Sequence, residues 1–216
     1  MNKRRIALLA AVAFVTLTTS GCGYNTLVEK QQAVRGKWAD VESRLQRRAD
    51  LIPNLFEAAK AAGVQEQEVF GQIAEARSRL LNATAAPPQG EGGDRSPEQR
   101  QEIINAANTF GGTIGRLLSL QEAYPTLQSN QAFMNFQHEL AGTENRINVA
   151  REDYNAAVTD YNTARNRFPM VIAAKMYGFK DEPLFKAEEG ARQAPQINAE
   201  SLRRNQGGQQ GTTNAR

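Results

Sequence analysis

The 216-residue chain carries 26 basic and 23 acidic side chains, a net charge of +3. Three of the basic residues, at positions 3–5, precede the only cysteine, Cys22, and no acid does, so the chain from Cys22 onward has 23 of each sign and is neutral. Nucleic-acid-binding domains keep a basic surplus, so nucleic acid is not an expected partner. A single cysteine also excludes an internal disulfide, and the residues after it suffice for one domain with its own core.

The N-terminus has the pattern of an export signal. The basic cluster at 3–5 is followed by an uncharged apolar run at 6–19. At about 14 residues, this run is shorter than a membrane-spanning helix needs and is typical of a signal peptide. The segment Ser20-Gly21-Cys22 that follows is similar to the lipobox of bacterial lipoproteins. We predict a lipoprotein signal peptide over 1–21 and lipidation of Cys22; the alternative is an uncleaved apolar anchor with an incidental cysteine.

Two helices are predicted in the first third of the chain. Apolar residues at helical spacing predict a first helix over 24–49. A second is predicted to begin near Asp50, whose carboxylate can cap it, with Pro53 tolerated in its first turn. The side chains expected to be buried are Leu27, Val34, Trp38, Val41 and Leu45 in the first, and Ile52, Leu55, Phe56, Val69, Phe70, Ile73 and Leu80 in the second.

Residues 83–97 are rich in proline and glycine and predict a flexible linker. Ser96 followed by Pro97 predicts the start of a third helix, with proline at its first position. A further turn is expected at 124–130. The third helix is expected to bury Ile103, Ile104, Ala107, Phe110, Ile114, Leu117 and Leu118.

The clearest helical pattern spans residues 133–168, with Pro169 ending it. One seam of large side chains and one of mostly small side chains each repeat every seven residues, as in coiled coils. The large seam is Phe133, Leu140, Ile147, Tyr154, Tyr161 and Phe168, and the other is Phe136, Thr143, Ala150, Ala157 and Ala164. The predicted fold is all-α: an antiparallel four-helix bundle of long, coiled-coil-like helices over 22–189. Residues 190–216, rich in Gln, Gly and Arg, are predicted to be a disordered tail.

The chain resembles the LemA family from residue 24 to about residue 185. The matching segments include YNTLV at 24–28, RRADLIPNL at 47–55, AYPTL at 123–127 and LAGTENRI at 140–147. The resemblance implies a membrane-associated four-helix bundle in the bacterial envelope, with no reaction attached to it. The family pattern usually has histidine at the positions of Ala49 and near Gln65, so metal or proton chemistry there is not expected in this chain.

No catalytic, cofactor-binding or metal site is predicted, and the protein is not expected to be an enzyme. His138 is the only histidine, so no multi-histidine metal site can form. Glu144 and Asp153 could supply an acid–base pair for glycan cleavage. They are nine residues apart and point to opposite sides of one helix.

Thr143, Glu144 and Arg151 form the most notable polar group in the predicted fourth helix. They could bind a ligand or partner, or they could form a polar network that fixes the register of the helices. The second interpretation is favoured.

The predicted turns place Arg47, Arg48, Asp50 and Tyr124 together at the end of the bundle far from the membrane, and the 83–97 linker beside the membrane. Arginine and tyrosine are enriched at interaction hot spots, so this end is a candidate partner surface. Alternatively, the two arginines only neutralise the end of the first helix dipole.

The sequence therefore predicts a non-enzymatic, membrane-anchored scaffold or interaction module of the cell envelope. Its expected partners are the membrane, through the lipid anchor, and a protein. Because Gly23 follows the cysteine, where an aspartate would favour inner-membrane retention, the periplasmic face of the outer membrane is expected in a source with two membranes. One alternative is a lipid-binding or membrane-remodelling protein that uses the apolar residues 170–174; a second is an unrecognised envelope hydrolase.

Overall fold

The computed structural model describes the backbone of residues 3–186 and, except for Glu91, the side chains of residues 23–186. Within that part of the chain the regular elements are all helical, which confirms the predicted all-α class. The predicted tail at 190–216 and the side chains of the predicted signal segment lie outside it. The elements are α1 (Lys3–Ala61), α2 (Gln67–Ala85), a 3-10 turn (Glu91–Gly93), α3 (Pro97–Ala123), α4 (Thr126–Ser129), α5 (Gln131–Asn166) and α6 (Met170–Tyr177).

The first helix, α1, is a single helix of 59 residues, so the turn predicted near Asp50 is wrong. The carboxylate of Asp50 accepts a hydrogen bond from the Gln46 side chain (2.9 Å). Pro53 lies inside α1, where its ring nitrogen cannot donate to the carbonyl four residues earlier, that of Ala49. The Nε of Arg77 on α2 donates to that carbonyl instead (2.7 Å). A contact from a neighbouring helix therefore supports α1 where local signals predict a break.

The fifth helix, α5, runs antiparallel to α1 and packs along it. Ion pairs join the two helices at three levels, Lys30 with Asp160 (2.6 Å), Lys37 with Asp153 (2.7 Å), and Arg47 with Glu139. The predicted seams are buried between them: Leu27, Val34, Trp38, Val41 and Leu45 on α1, and Phe133, Leu140, Ile147, Tyr154 and Tyr161 on α5. The prediction that Phe168 belongs to the buried seam is wrong, because α5 ends at Asn166 and the Phe168 ring is 78% exposed.

The helices α2 and α3 form a second packed pair. The start of α3 is confirmed: the Ser96 hydroxyl accepts from the Gln99 N–H (3.2 Å), the Gln99 side chain accepts from the Ser96 N–H (3.1 Å), and Pro97 is the first helical residue. This reciprocal capping satisfies donors that a helix start otherwise leaves unpaired. The residues expected to face the core of these helices are buried or half-buried; those fully buried are Ile73, Leu80, Ile103, Ile104, Ala107, Phe110, Ile114 and Leu117.

The connection between α2 and α3 contacts α1 well beyond Gly23, in the direction of Ala61. Asp94 pairs with Arg35 (2.9 Å), and Arg95 pairs with Glu42. Arg35 lies about 18 Å along the helix from Gly23, at 1.5 Å per residue. The linker therefore does not return to the level of Gly23, as the predicted turns required: the α2–α3 pair covers the far part of α1, and other segments cover the near part.

An extended segment at 179–186, which we call the strap, lies along the C-terminal half of α5. Asn155 exchanges two hydrogen bonds with the backbone of Phe185 (2.9 and 2.9 Å), and Asn162 does the same with Glu182 (2.9 and 3.0 Å). Each asparagine follows a buried tyrosine whose hydroxyl donates to a strap carbonyl, Tyr154 to Pro183 and Tyr161 to Lys180.

The spacing of these contacts has a simple geometric basis. Seven residues of α-helix rise about 10.5 Å. Three residues of extended chain span about 10 Å. The two Tyr-Asn pairs, seven residues apart on α5, therefore match strap positions three residues apart, and the same set of hydrogen bonds forms twice.

Candidate functional site

A buried arginine in the C-terminal part of α1 joins this helix to α5. Arg48 is 6% exposed, and its Nη1 lies 2.7 Å from Oε2 of Glu144. Its guanidinium lies 5.8 Å from the centre of the Phe110 ring on α3. Burial lowers the pKa of Arg48, Glu144 opposes that shift, and the nearby Arg151 adds to it. Arginine still remains a cation at neutral pH, so the pair is ionic.

The predicted polar network of Thr143, Glu144 and Arg151 includes the acid of this pair, Glu144. The Thr143 hydroxyl donates to the carbonyl of Glu139 in its own helix (2.9 Å). The Arg151 guanidinium lies 4.9 Å from the centre of the Phe185 ring in the strap. Through Arg48, Glu144 and Arg151 these contacts connect α1, α5, α3 and the strap.

The residues of the predicted partner surface do not meet at one end. Arg47 and Asp50 lie within α1, which continues about 16 Å beyond Asp50 to Ala61. Tyr124 lies at that far end, where its hydroxyl donates to Glu66 (2.7 Å). This hydrogen bond raises the pKa of Tyr124. The structure therefore separates Tyr124 from the arginines and pairs it with an acid that the sequence analysis did not select.

A second buried ionic cluster was not predicted from the sequence. Arg100 on α3 is fully buried and pairs with Glu182 of the strap (2.5 Å) and with Asp94 of the α2–α3 connection. Asp94 in turn pairs with Arg35 on α1. Burial raises the pKa of Glu182 although Arg100 works in the opposite direction. The carboxylates raise the pKa of Arg100 against the effect of its own burial, so it stays charged.

A pocket of about 260 Å³ opens above this cluster. The charged residues that line it are all paired with other side chains: Arg35 with Asp94, Arg95 with Glu42, Lys180 with Glu98 (3.1 Å) and Glu182 with Arg100. The Ser96 hydroxyl in the lining caps α3. These paired side chains join four segments of the chain: α1, the α2–α3 connection, α3 and the strap. Among the side chains that the structure describes, no group of three or more His, Cys, Asp or Glu could hold a metal ion.

An apolar surface lies beside Gly23 of α1, where the described side chains begin. We call it the end surface; its residues are Tyr24, Phe168, Ile172, Met176 and Tyr177, all of them exposed. Of the apolar residues 170–174 selected from the sequence, only Ile172 is exposed, and Ala173 and Ala174 are buried. Between residues 23 and 186, no helix is long and apolar enough to cross a membrane.

These features define an all-α protein with one exceptionally long helix, buried ion pairs between its helices and an apolar surface beside Gly23. The LemA family model matches residues 37–198, and the chain belongs to the LemA family.

Among its relatives are magnetosome proteins of two bacteria. Magnetosome proteins MamQ 2 and MamQ 1 of Paramagnetospirillum magneticum (strain ATCC 700264 / AMB-1) are each 29% identical to it over 193 residues, covering 84% of this chain and 70% of theirs. Magnetosome protein MamQ of Magnetospirillum gryphiswaldense is 28% identical over 187 residues, covering 81% of this chain and 68% of its own.

Proposed function

We propose that this protein is a non-enzymatic, membrane-anchored scaffold or interaction module of the bacterial cell envelope. Its working part is an antiparallel bundle of four long helices, α1, α2, α3 and α5. The observation that carries the proposal is that buried charged side chains form ion pairs between different segments of the chain. Arg48 pairs with Glu144, and Arg100 pairs with Asp94 and Glu182. Such pairs favour one fixed arrangement of helices, which suits a rigid support for other molecules.

The anchor is proposed at the N-terminus. The apolar run at 6–19 precedes Gly23 within α1, and the end surface lies beside Gly23. Residues 1–21 would serve as the signal peptide and Cys22 as the lipidated residue, with residues 22–189 forming the exported body. The periplasmic face of the outer membrane is the proposed location in a source with two membranes, because Gly23 follows the cysteine.

Lipidation is tested with Cys22→Ser, made as the full chain in a bacterial host. The variant should no longer take up labelled fatty acid and should accumulate as an uncleaved precursor. Uptake of the label by Cys22→Ser would show that the anchor is not at this cysteine. A matched Ser20→Ala variant keeps a small residue before the cysteine and should be lipidated normally.

The partner surface is proposed at the far tip, where α1 ends and α3 meets α4. There the Tyr124 hydroxyl bonds to Glu66, and the Thr126 hydroxyl bonds to the carbonyl of Ala62 (3.0 Å). These contacts fix the connection after α1 against the one after α3, so the tip presents a constant shape. It also lies farthest from the proposed anchor, within reach of another envelope protein.

A photo-crosslinking residue at exposed Gln128 of the tip should give discrete protein adducts in living cells. The same residue at exposed Asp40, midway along α1, is the matched control and should give none. Adducts from position 40 and none from position 128 would place the partner surface elsewhere. Absence of protein adducts at both positions would contradict the scaffold role.

Lipid binding is the second candidate function, and the exposed apolar side chains of the end surface favour it. The similarity to magnetosome proteins over 84% of this chain fits either function, because it covers the helical body that both would use.

A further inference from the structure

The end surface presents several large apolar side chains to solvent on one side of the molecule. The exposed fractions of Phe168, Ile172 and Met176 are 78%, 59% and 62%. Ile172 and Met176 are four residues apart and share one face of α6. The Tyr24 ring lies 4.9 Å from that of Tyr177, centre to centre, and joins the start of the body to this face. Several large apolar side chains exposed on one short segment mark a candidate interaction surface.

The position of the end surface along α1 identifies what covers it. A Cβ placed on Gly23 would lie 3.8 Å from the Met170 side chain and 4.0 Å from Cβ of Ala173, so α6 lies at the level of residue 23. The apolar run at 6–19 ends one helical turn earlier in the same continuous helix. Whether that run stays in the bilayer or is replaced by a lipid on Cys22, the bilayer surface begins at this level.

The charges within residues 167–180, which carry four of the five residues of the end surface, match an anionic membrane. Arg167 and Lys175 are both exposed, and no acidic residue occurs in the sequence from 167 to 180. The face of α6 that is turned inward carries the buried Ala173 and Ala174. A short helix with apolar and basic side chains on its open side is suited to the boundary between headgroups and acyl chains. Tyrosine is enriched at the same depth in membrane proteins.

We propose that the end surface is inserted into the interfacial layer of an anionic bilayer, with α6 at headgroup level beside the point where α1 meets the membrane. The inference rests on the proposed membrane anchoring and adds a second contact to it. Two contacts, one at the anchor and one at α6, fix the direction in which the helical body leaves the membrane. A single lipid tether would leave that direction free.

The test uses the full chain in vesicles of phosphatidylglycerol and phosphatidylcholine. An environment-sensitive fluorophore is attached to Ile172→Cys, and lipids carry a quencher at a known depth. The control is Val149→Cys on α5. Val149 is also 59% exposed, but it lies beside a part of α1 that is far from Gly23 and therefore far from α6. The chain without an added cysteine reports any labelling of Cys22.

We expect most of the fluorescence at position 172 to be lost with shallow quenchers and that at position 149 to be unchanged. Charge reversal in Lys175→Glu should reduce the loss in anionic vesicles, and vesicles of phosphatidylcholine alone should give less quenching. Equal signals at positions 172 and 149 in chains that float with the vesicles would overturn the docking of α6 while leaving the anchor intact. Disulfides formed under oxidising conditions between copies of the unlabelled Ile172→Cys chain, together with no quenching of the labelled chain, would assign the surface to self-association instead. Chains that fail to float would contradict both proposals.

Discussion

The Nε of Arg77 lies 2.7 Å from the carbonyl oxygen of Ala49, the carbonyl that Pro53 leaves without its helical donor. A proline in the interior of a helix costs about 3 kcal/mol or more, in part through this lost hydrogen bond. Ala49 is fully buried, so water cannot replace the donor there. The side chain of one helix therefore completes the backbone hydrogen bonding of another.

Arg77→Met should lower the free energy of unfolding by about 1–3 kcal/mol, because it leaves a buried carbonyl unpaired. Pro53→Ala restores a backbone N–H, so the same arginine change should cost much less in that background. Urea unfolding of the two single variants and the double variant measures this coupling. Arg79→Met, which removes an exposed pair with Glu75, is the control and should change little. Additive effects of the two substitutions would contradict the assigned role of Arg77.

The burial of the large seam is tested at Ile147, which is fully buried on α5. Ile147→Asp would place a carboxylate among apolar side chains and should cost several kcal/mol. Asn148→Asp changes an exposed neighbour on the same helix and should cost less than about 0.5 kcal/mol. Equal melting temperatures for the two variants would show that Ile147 does not face the core.

The buried ionic cluster predicts a strong effect at Glu182. Glu182→Ala leaves the fully buried Arg100 with Asp94 alone, so the cost should fall near the lower end of the range for a broken buried pair, about 3 kcal/mol. Glu98→Ala removes an exposed partner of Lys180 and should cost less than about 1 kcal/mol. Denaturant unfolding of both variants gives the comparison. A smaller loss of unfolding free energy in Glu182→Ala than in Glu98→Ala would show that the buried ion pair does not stabilise the strap.

Ionisation of Tyr161 should release the strap at high pH. Burial, helped by Glu182, raises the pKa of Tyr161 from 10.0 to about 12 in the folded chain. The folded state thus holds the phenolic proton more tightly than the unfolded state does. This contribution to stability is complete below pH 10 and is lost as the pH rises from 10 to about 12.

Unfolding free energies measured across this interval should fall less steeply in Tyr161→Phe than in the unchanged protein. Absorbance near 295 nm should also lose a component that titrates near pH 12. Tyr177→Phe, at an exposed ring of the end surface, should keep the original slope. An unchanged slope in Tyr161→Phe would show that Tyr161 does not cause the alkaline loss.

The parts of the fold that repeat in the sequence could be predicted. The seams of α1 and α5 follow from a seven-residue spacing of large side chains, because such spacing keeps them on one side of a helix. The start of α3 follows from Ser96, Pro97 and Gln99, which act within a single turn. In each case the decisive contacts are local or periodic.

The remaining features depend on contacts between distant segments. Asp50 and Pro53 have the local pattern of a helix start, and only Arg77, more than twenty residues later, shows why the helix continues. The Arg100 cluster takes its acids from two segments without helical spacing, Asp94 and Glu182. The strap did have a signal: a Tyr-Asn pair occurs twice on α5, seven residues apart, and each copy binds the strap in the same way.

The unbroken course of α1 has a mechanical consequence. From Gly23 to Ala61 the helix extends about 57 Å, and the hydrogen bond from Arg77 supports the turn that contains Pro53. Under the proposed anchoring, α1 acts as a lever that pivots at the bilayer surface when a sideways force is applied to the far tip. The bending moment there grows with the full length of the lever, so even a weak force at the tip acts strongly on the end of α1 at Gly23. With the proposed second contact at α6, this bending moment is shared between the point where α1 meets the membrane and the headgroup layer beside it.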